Sequence, residues 1–200
     1  TETTLRKKLF ISRSHWYLQI MVANCERELI WLDMCINVKK SCCMRIGPRC
    51  NVSCNNITTV GGTLPWVNNF RYLGIVLVQS RNFRCSLSDA KKSFYRSLNA
   101  IFGRIGRQSS EEVVLQLMSS KCLPILLYGL EACPLNKSDL NSLDFAVNRF
   151  LMKLFNTINV DIIAECRSFF NVPLPSCSIS HRADTFVKNI VTVATLYVKY

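Results

Sequence analysis

The spacing of apolar residues changes near residue 78, and this change limits the folds open to the chain. Before it, short apolar and β-branched runs alternate with turns rich in Asn, Ser, Thr and Gly, which predicts strands. After it, apolar residues recur every three or four positions over long stretches, which predicts helices. We therefore predict an α+β fold, with a small antiparallel sheet and a packed helix in residues 1–78 and an all-helical bundle in residues 79–200.

The first part contains one helical pattern and three strand-like segments. Apolar spacing predicts a helix at residues 16–35, with Ser14 as its N-cap. The strand-like segments, bounded by turn residues, are residues 42–46, 57–60 and 70–77. We expect the helix to pack on a sheet that contains the first and the last of them. Gly74 interrupts the last segment and marks either a bulge or a close approach of the backbone to a ligand.

The second part contains five helical patterns and no expected strand. They cover residues 89–105, 109–122, 139–155, 160–170 and 179–200. Ser88 is placed to cap the first, and Ser109 with Glu112 has the spacing of a capping box for the second. Pro124 should kink or end that second helix. Ser138 or Asp139 should open the third helix.

Positive charge is confined to the first half of the chain. Residues 1–107 hold 17 Lys and Arg against 5 Asp and Glu, whereas residues 108–200 hold 8 of each, so the net charge of +12 lies entirely before residue 108. Such an asymmetry favours a polyanionic partner, although a solvated basic surface is the alternative. In the helix predicted at 89–105, Lys92 and Arg96, together with Arg107 just beyond it, fall within about 60° of arc opposite the apolar side.

The eleven cysteines raise two questions of chemistry. Cys42, Cys43, Cys50 and Cys54 are close together, but their spacing does not give the two paired half-sites typical of structural zinc, and His15 and His181 are distant in sequence. An enzyme with a nucleophile and a base would have only Cys42 or Cys43 near lysines to offer. We predict no metal and no cofactor in this chain. No signal-peptide pattern or bilayer-length apolar run is recognised, so we expect an intracellular protein, nuclear or cytoplasmic, that is neither secreted nor transmembrane.

Three ordered motifs carry a family resemblance. They read Leu-Asp-Met-Cys-Ile-Asn-Val-Lys-Lys-Ser at residues 32–41, Phe-Arg-Tyr-Leu-Gly-Ile at 70–75 and Leu-Pro-Ile-Leu-Leu-Tyr-Gly-Leu-Glu at 123–131. In this order and at this spacing they resemble the region just downstream of the catalytic aspartates in the reverse transcriptases of non-LTR (LINE-type) retrotransposons. The resemblance extends over about residues 18–182, and it includes the run Ser-Phe-Tyr-Arg-Ser-Leu-Asn at 93–99.

The resemblance implies the end of a polymerase palm at residues 1–78 and a thumb-like region at 79–200. In the family, the segment that matches residues 70–77 belongs to a hairpin that grips the primer end. The implied partner is an RNA or DNA template–primer, bound weakly and without sequence preference. The implied contacts are Lys39, Lys40, Arg71, Tyr72, Leu73, Gly74, Lys92, Arg96 and Arg107.

The catalytic part of the family pattern is missing from this sequence. Family polymerases bind Mg²⁺ through carboxylates that include an adjacent Asp-Asp pair. This sequence contains no Asp-Asp, and its first aspartate, Asp33, follows the position where the pair should be. The resemblance therefore implies a catalytically incomplete fragment that lacks an upstream palm and fingers portion. The alternative is a non-catalytic helical interaction module derived from such an element, which binds no nucleic acid. Glu131 ends an apolar run and, if buried, needs a partner.

Overall fold

The computed structural model of the chain describes residues 9–105 and 109–197, with side chains as far as residue 190. The fold is α+β, as predicted. The chain divides into two compact units: the first comprises residues up to 72 together with 77–83, and the second comprises residues 73–76 together with those from 84 onward. That residues 1–78 and 79–200 are separate domains stays a prediction, because the segment 73–83 alternates between the units.

The strands are short, and all of them come between the first two long helices in the sequence. The first unit begins with α1 (His15–Trp31) and a 3₁₀ turn (Val38–Lys40). These are followed by the antiparallel hairpin of β1 (Ile57–Thr59) and β2 (Gly62–Leu64), in which Ile57 is opposite Leu64. β3 (Asn69–Tyr72), β4 (Ile75–Val78) and β5 (Arg84–Ser86) form a three-stranded sheet in that order.

Helix α1 packs on β1 and, through Val22, on Cys43 of the segment 42–46 as predicted, but the sheet against it is the β1–β2 hairpin and not one that contains residues 70–77. Polar side chains of α1 explain the placement. The Gln19 amide donates from Nε2 to the carbonyl oxygen of Thr58 at 2.8 Å and accepts at Oε1 from the Thr58 N–H at 2.9 Å. The Glu26 carboxylate accepts from the Val60 N–H at 2.9 Å. These bonds satisfy backbone groups of β1 and of the turn after it that would otherwise be left unpaired at the strand edge.

The strand predicted at residues 42–46 is wrong. Cys43 makes only an isolated parallel bridge with Trp66, in which the Cys43 N–H donates to the carbonyl oxygen of Pro65 and the Val67 N–H donates to that of Cys43, both at 2.8 Å. Pro65 has no N–H to donate, so a ladder cannot extend through it. Cys43 still contributes to the small core of this unit, together with Val22, Ile57 and Leu64.

The single strand predicted at residues 70–77 is two strands. Leu73 and Gly74 separate β3 from β4 and have φ values of +46° and +88°. A two-residue hairpin turn of type I′ has positive φ at both central positions, and Gly is common at the second. Gly74 is therefore a turn residue and not a bulge. The prediction of no strand after residue 78 is also wrong, because β5 follows; a three-residue strand is too short to give a periodic signal.

The second unit is otherwise helical. Its elements are α2 (Ser88–Ile105), α3 (Glu111–Leu117), a π-helical turn (Met118–Cys122), α4 (Leu123–Leu127), a 3₁₀ turn (Leu130–Ala132), α5 (Lys137–Leu154), α6 (Val160–Phe169) and α7 (Pro175–Tyr197). Helix α4 packs on α2, and α7 packs on α5. The core between them includes the fully buried Phe94, Met118, Leu126, Leu143 and Ile163. As predicted, residues 89–105 and 139–155 contain no strand.

Several helix starts differ from the predicted positions. The Ser109 N–H donates to the carbonyl oxygen of Ile105 at 2.9 Å, and Ser109 does not cap α3. Ser110 is the N-cap of α3 and makes no side-chain bond, so the predicted box is wrong. Ser88 is the first residue of α2 and not its cap. Helix α5 starts at Lys137, one residue before the earlier of its two predicted starts, and Asn136 and Asp139 form a capping box there.

Helix α7 begins at Pro175 and not at residue 179 as predicted. Proline suits the first position of a helix because an N–H at that position would have no partner within the helix. The next N–H, of Ser176, donates to Oδ1 of Asp144 in α5 at 2.9 Å. A side chain distant in sequence therefore caps this helix, which no local pattern could have indicated.

Three helices are followed by a residue with left-handed backbone conformation that is not glycine. These residues are Asp33 (φ +58°), Asn156 (φ +50°) and Asn171 (φ +51°), which follow α1, α5 and α6. After α1, the Met34 N–H donates to the carbonyl oxygen of Leu29 at 2.8 Å, which is the long bond of a Schellman motif. Because Asp and Asn tolerate positive φ better than other non-glycine residues, α1 stops at Trp31 and not at residue 35.

The predicted break at Pro124 takes the form of a widened turn. In a regular α-helix the ring of Pro124 would collide with the carbonyl four residues earlier. The chain instead changes to π geometry at Met118–Cys122, where the Leu123 N–H donates to the carbonyl oxygen of Met118. Pro124 then fits as the second residue of α4, and the chain remains helical on both sides.

One stretch of the described residues, Glu111–Ala132, is long and apolar enough to cross a membrane by length and composition, with a mean hydropathy of 1.5. The core helix of a soluble protein passes the same test, and 44% of the most apolar 18-residue window in this stretch is buried inside the structure. Its buried residues belong to the core of the second unit: Val114, Leu115, Met118, Cys122, Leu123, Leu126, Leu127 and Leu130. Packing in that core accounts for its apolar composition.

Candidate nucleic-acid interface

The residues predicted to contact nucleic acid divide between the two units. Lys39, Lys40, Arg71 and Tyr72 belong to the first unit, and Leu73, Gly74, Lys92 and Arg96 belong to the second. Arg107 lies outside the described residues. The structure therefore gives two separate sets of candidate contacts, one in each unit.

In the first unit, Lys39 and Lys40 are exposed on the 3₁₀ turn. The turn is held in place because the Asn37 side chain accepts from the Lys40 N–H at 3.2 Å and Val38 packs against the small core. Arg71 is exposed on β3. Tyr72 is half-buried, and its ring centroid lies 6.5 Å from that of Phe70 in an edge-on arrangement. An anchored backbone thus presents two adjacent cations.

In the second unit, two of the three family-like motifs are in direct contact. A Cβ placed on Gly74 would lie 2.9 Å from a ring carbon of Tyr128, so the turn after β3 rests against that ring. Gly129 has a φ of +69°, and a Cβ placed on it would lie 2.5 Å from Cδ1 of Ile75. Each motif therefore supplies a glycine that lets a side chain of the other come close. The sequence offered bulge or ligand contact for Gly74; the structure shows close approach by the chain's own Tyr128.

The junction of these two motifs, formed by Leu73, Gly74, Ile75, Tyr128 and Gly129, exposes apolar side chains. Leu73 is 59% exposed and Tyr128 is 60% exposed. Leu73 also has positive φ, which is uncommon for a residue with a branched side chain and persists only where the surroundings enforce it. We refer to this set as the motif junction. Tyr128 and Gly129 were part of a quoted motif but were not among the predicted contacts.

Helix α2 has the division predicted from its sequence. Phe94 and Leu98 are buried in the core, and Lys92 and Arg96 are exposed on the opposite side. Asn99 and Gly103 continue the exposed side at helical spacing. The neighbouring Lys91 is not part of this side, because its Nζ donates to Oγ of Ser142 in α5 at 2.6 Å. The outer face of α2 is therefore polar and carries two cations, as a helix laid along a phosphate backbone requires.

Gly103 gives a first test of this face. No atom outside its own helix and chain neighbours lies within 4 Å of a Cβ placed on Gly103, so internal packing does not require glycine there. We expect Gly103→Ala to raise the free energy of unfolding by roughly 0.5–1 kcal/mol, because alanine favours helix more than glycine does. Urea denaturation measures the change. A loss of stability would show that the site is occupied by another part of the chain.

The possible metal ligands and the thiols at Cys42 and Cys43 have the following arrangement among the described residues. Across residues 9–105 and 109–197, no three His, Cys, Asp or Glu side chains are grouped so that they could hold a metal ion. Burial raises the pKa of Cys42, and burial together with the Cys42 charge raises the pKa of Cys43 to about 11. Both are therefore protonated thiols at neutral pH, whereas nucleophiles and zinc ligands are thiolates. Cys54 accepts from Nη1 of Arg45 at 3.0 Å.

Glu131 is the one acidic residue of the third motif. Its Oε2 atom is buried and has no hydrogen-bond partner among the described residues. Burial, a hydrogen bond with Cys85, and the charges of Cys85 and Glu131 raise the pKa of Cys133 to about 12. The sequence indicated that a buried Glu131 would need a partner, and the described part of the chain supplies none to its buried Oε2 atom.

Comparison of the chain with protein-family models, with curated proteins and with solved structures gives no match.

Proposed function

We propose that this chain is a catalytically incomplete piece of a reverse transcriptase of the non-LTR retrotransposon type that retains part of a surface for template–primer. It corresponds in this proposal to the end of the palm and to the thumb. It binds RNA or DNA duplexes weakly, through backbone phosphates and without reading sequence. We place it inside the cell, where its nucleic-acid partner is found.

The motif junction is the observation that supports this proposal most. Segments 70–75 and 123–131 are about fifty residues apart in sequence, yet Gly74 meets Tyr128 and Gly129 meets Ile75. The second and third motifs, which resemble the family as separate sequence segments, are thus parts of one structural feature. A hairpin tip with a strained, exposed Leu73 is the kind of feature that a primer end can contact.

The distribution of charge supports the phosphate-binding part of the proposal. All of the net charge of +12 lies before residue 108, and Lys92 and Arg96 of α2 lie on one exposed face there. The ion pair between Arg84 and Asp139, a 4.0 Å contact, involves neither Lys92 nor Arg96. Their charges are available to neutralise phosphates and release counterions.

The chain does not fit the Mg²⁺ that family polymerases use. The sequence has no Asp-Asp pair, and the described residues hold no group of carboxylates suited to a metal ion. Two metal ions would normally stabilise the attacking and leaving oxygens of nucleotide transfer. The catalytic step is therefore assigned to an upstream palm and fingers portion, which this chain does not contain in our proposal.

We accordingly expect no polymerase activity from the purified chain. Supplied with primed template, deoxynucleotides and Mg²⁺, it should extend the primer no more than buffer does, because the ligands for the metal are missing. Gel analysis of a labelled primer measures this. Extension above the buffer control that persists in an independent preparation would contradict the assignment as an incomplete fragment.

A second candidate function is a helical interaction module that binds no nucleic acid. The observation that favours it is the outer surface of α1, where Trp16 is 73% exposed and Trp31 is 80% exposed. Large aromatic side chains are common at protein interfaces and costly to leave in water. Duplex binding that depends on salt separates the two functions, since only the first requires it.

A further inference from the structure

The outer surface of α1 exposes large apolar side chains at both ends of the helix. Its buried side, with Val22 and Leu29, faces β1. The opposite side spans an arc of about 160° at 100° per residue. It consists of Trp16, Tyr17, Ile20, Ala23, Asn24, Arg27, Glu28, Ile30 and Trp31, all exposed except the half-buried Ile20. We call the members of this set other than Glu28 the α1 stripe. A helix that is apolar on both sides is normally covered on both sides.

The stripe is self-complementary under a two-fold rotation. If a second copy of α1 lies antiparallel with its centre at Ala23 and Asn24, every residue of the stripe faces another residue of the stripe. Across the axis Trp16 lies beside Ile30 and Trp31 of the second copy, Tyr17 lies beside its Trp31, and Ile20 lies at the level of its Arg27. At the centre, Ala23 and Asn24 each lie beside their own symmetry mates. This property is what an interface between two identical chains requires, because the same patch must serve both partners.

We propose that the α1 stripe is the contact surface of a homodimer in which two α1 helices pack antiparallel. Aromatic residues at both ends provide most of the contact area, and the small Ala23 at the centre allows the helix axes to come within about 8–10 Å. Asn24 lies beside Ala23, where an amide can pair with its symmetry mate and fix the register. This inference does not depend on nucleic-acid binding.

The exposed side-chain area of the α1 stripe is of the size expected for a weakly associating dimer. A tryptophan or tyrosine covers about 150–250 Å² when fully buried, and Trp16, Tyr17 and Trp31 are 73%, 58% and 80% exposed. With Ile30 added, each chain offers on the order of 500 Å², so the pair buries roughly 1,000 Å², which is near the lower limit for a specific interface. We therefore expect association that changes with concentration in the micromolar range and not a permanent dimer.

Sedimentation velocity of the full chain between about 1 and 100 μM tests this, a range that brackets an interface of this size. The wild-type chain should shift from the mass of one chain toward twice that mass. Trp16→Glu and Trp31→Glu should each abolish the shift, because both rings are exposed and their loss does not disturb the core. Ile158→Glu is the matched control: Ile158 is 90% exposed and lies far from α1 in sequence, in the other unit, so its variant should associate like wild type.

The register has its own test at Ile20. In the antiparallel pair Ile20 faces Arg27 of the second copy, so Ile20→Glu should retain association through the new ion pair and Ile20→Lys should lose it by repulsion. Parallel or unspecific apolar association would weaken equally in both variants, which overturns the proposed register. A wild-type chain that stays monomeric throughout, or association lost equally in Ile158→Glu, overturns the dimer and leaves the stripe to another kind of partner.

Discussion

Substituting Gly74 by alanine is expected to lower the free energy of unfolding by about 2–3 kcal/mol, as the sum of two effects. Gly74 has a φ of +88°, a conformation that costs a residue with a Cβ about 1–2 kcal/mol. The added methyl group would also lie 2.9 Å from a ring carbon of Tyr128, and a rigid ring cannot yield as a flexible chain end does. Urea denaturation followed by circular dichroism measures the loss.

Two controls separate the backbone effect from the ring contact. Gly74→Ala should cost less in a Tyr128→Ala background, because only the backbone strain remains, and the difference is the coupling between the two motifs. Gly103→Ala is the matched glycine substitution at an open helical position and should have the opposite sign. If Gly74→Ala is as harmless as Gly103→Ala, the motif junction is not formed as described.

Replacing Lys92, Arg96 and Arg107 together by glutamine is expected to weaken duplex binding strongly. Each phosphate contact contributes a slope of about −0.9 in log K against log salt, so the slope should become smaller in magnitude by about two to three units. At 0.1 M salt, losing two or three such contacts lowers affinity roughly 60- to 500-fold. Fluorescence anisotropy with a labelled primer–template, started at low salt where wild-type binding is tighter, measures both quantities.

The matched control for that variant removes three exposed cations from the electrically neutral second half. Lys121, Lys137 and Arg149 are exposed and belong to the same unit as Lys92 and Arg96. Replacing them by glutamine changes the net charge by the same amount. A slope that falls equally in both triple variants would mean that only overall charge matters, and the assignment of α2 to the phosphate backbone would be wrong.

Helical periodicity predicted the second unit well because its helices are two-sided. In α2, Phe94 and Leu98 are buried while Lys92 and Arg96 are exposed, so the sequence carries the pattern of the core. In α5, the inward positions Leu143 and Val147 are fully buried as expected. Where burial follows a local period, local sequence is sufficient to locate the element.

The errors occurred where distant residues decide the local structure. Gln19 satisfies the backbone of Thr58 across 39 residues, and this contact places α1 on β1. The end of α1 depends on Asp33 in a position usually held by glycine, and the start of α7 depends on Asp144 in another helix. None of these gives a periodic signal, because each is a single polar contact.

The candidate site was only partly accessible from the sequence. The family resemblance directed attention to Leu73 and Gly74, and the hairpin tip at these residues is exposed and strained. It did not indicate that Tyr128 packs on Gly74, since a contact between segments so far apart leaves no trace in either segment alone. Whether the residues of the two units act on one nucleic acid stays a prediction.

The central claim is that the chain binds nucleic acid through its basic half, and a salt titration of the wild-type chain tests it most directly. The measurement is the dissociation constant for a primer–template duplex at three salt concentrations, repeated with a duplex of unrelated sequence. We expect values of about 10⁻⁴ to 10⁻⁶ M at physiological salt, equal for both duplexes, with affinity falling steeply as salt rises. Absence of binding at low salt, or binding that does not change with salt, would contradict the claim and favour the interaction module.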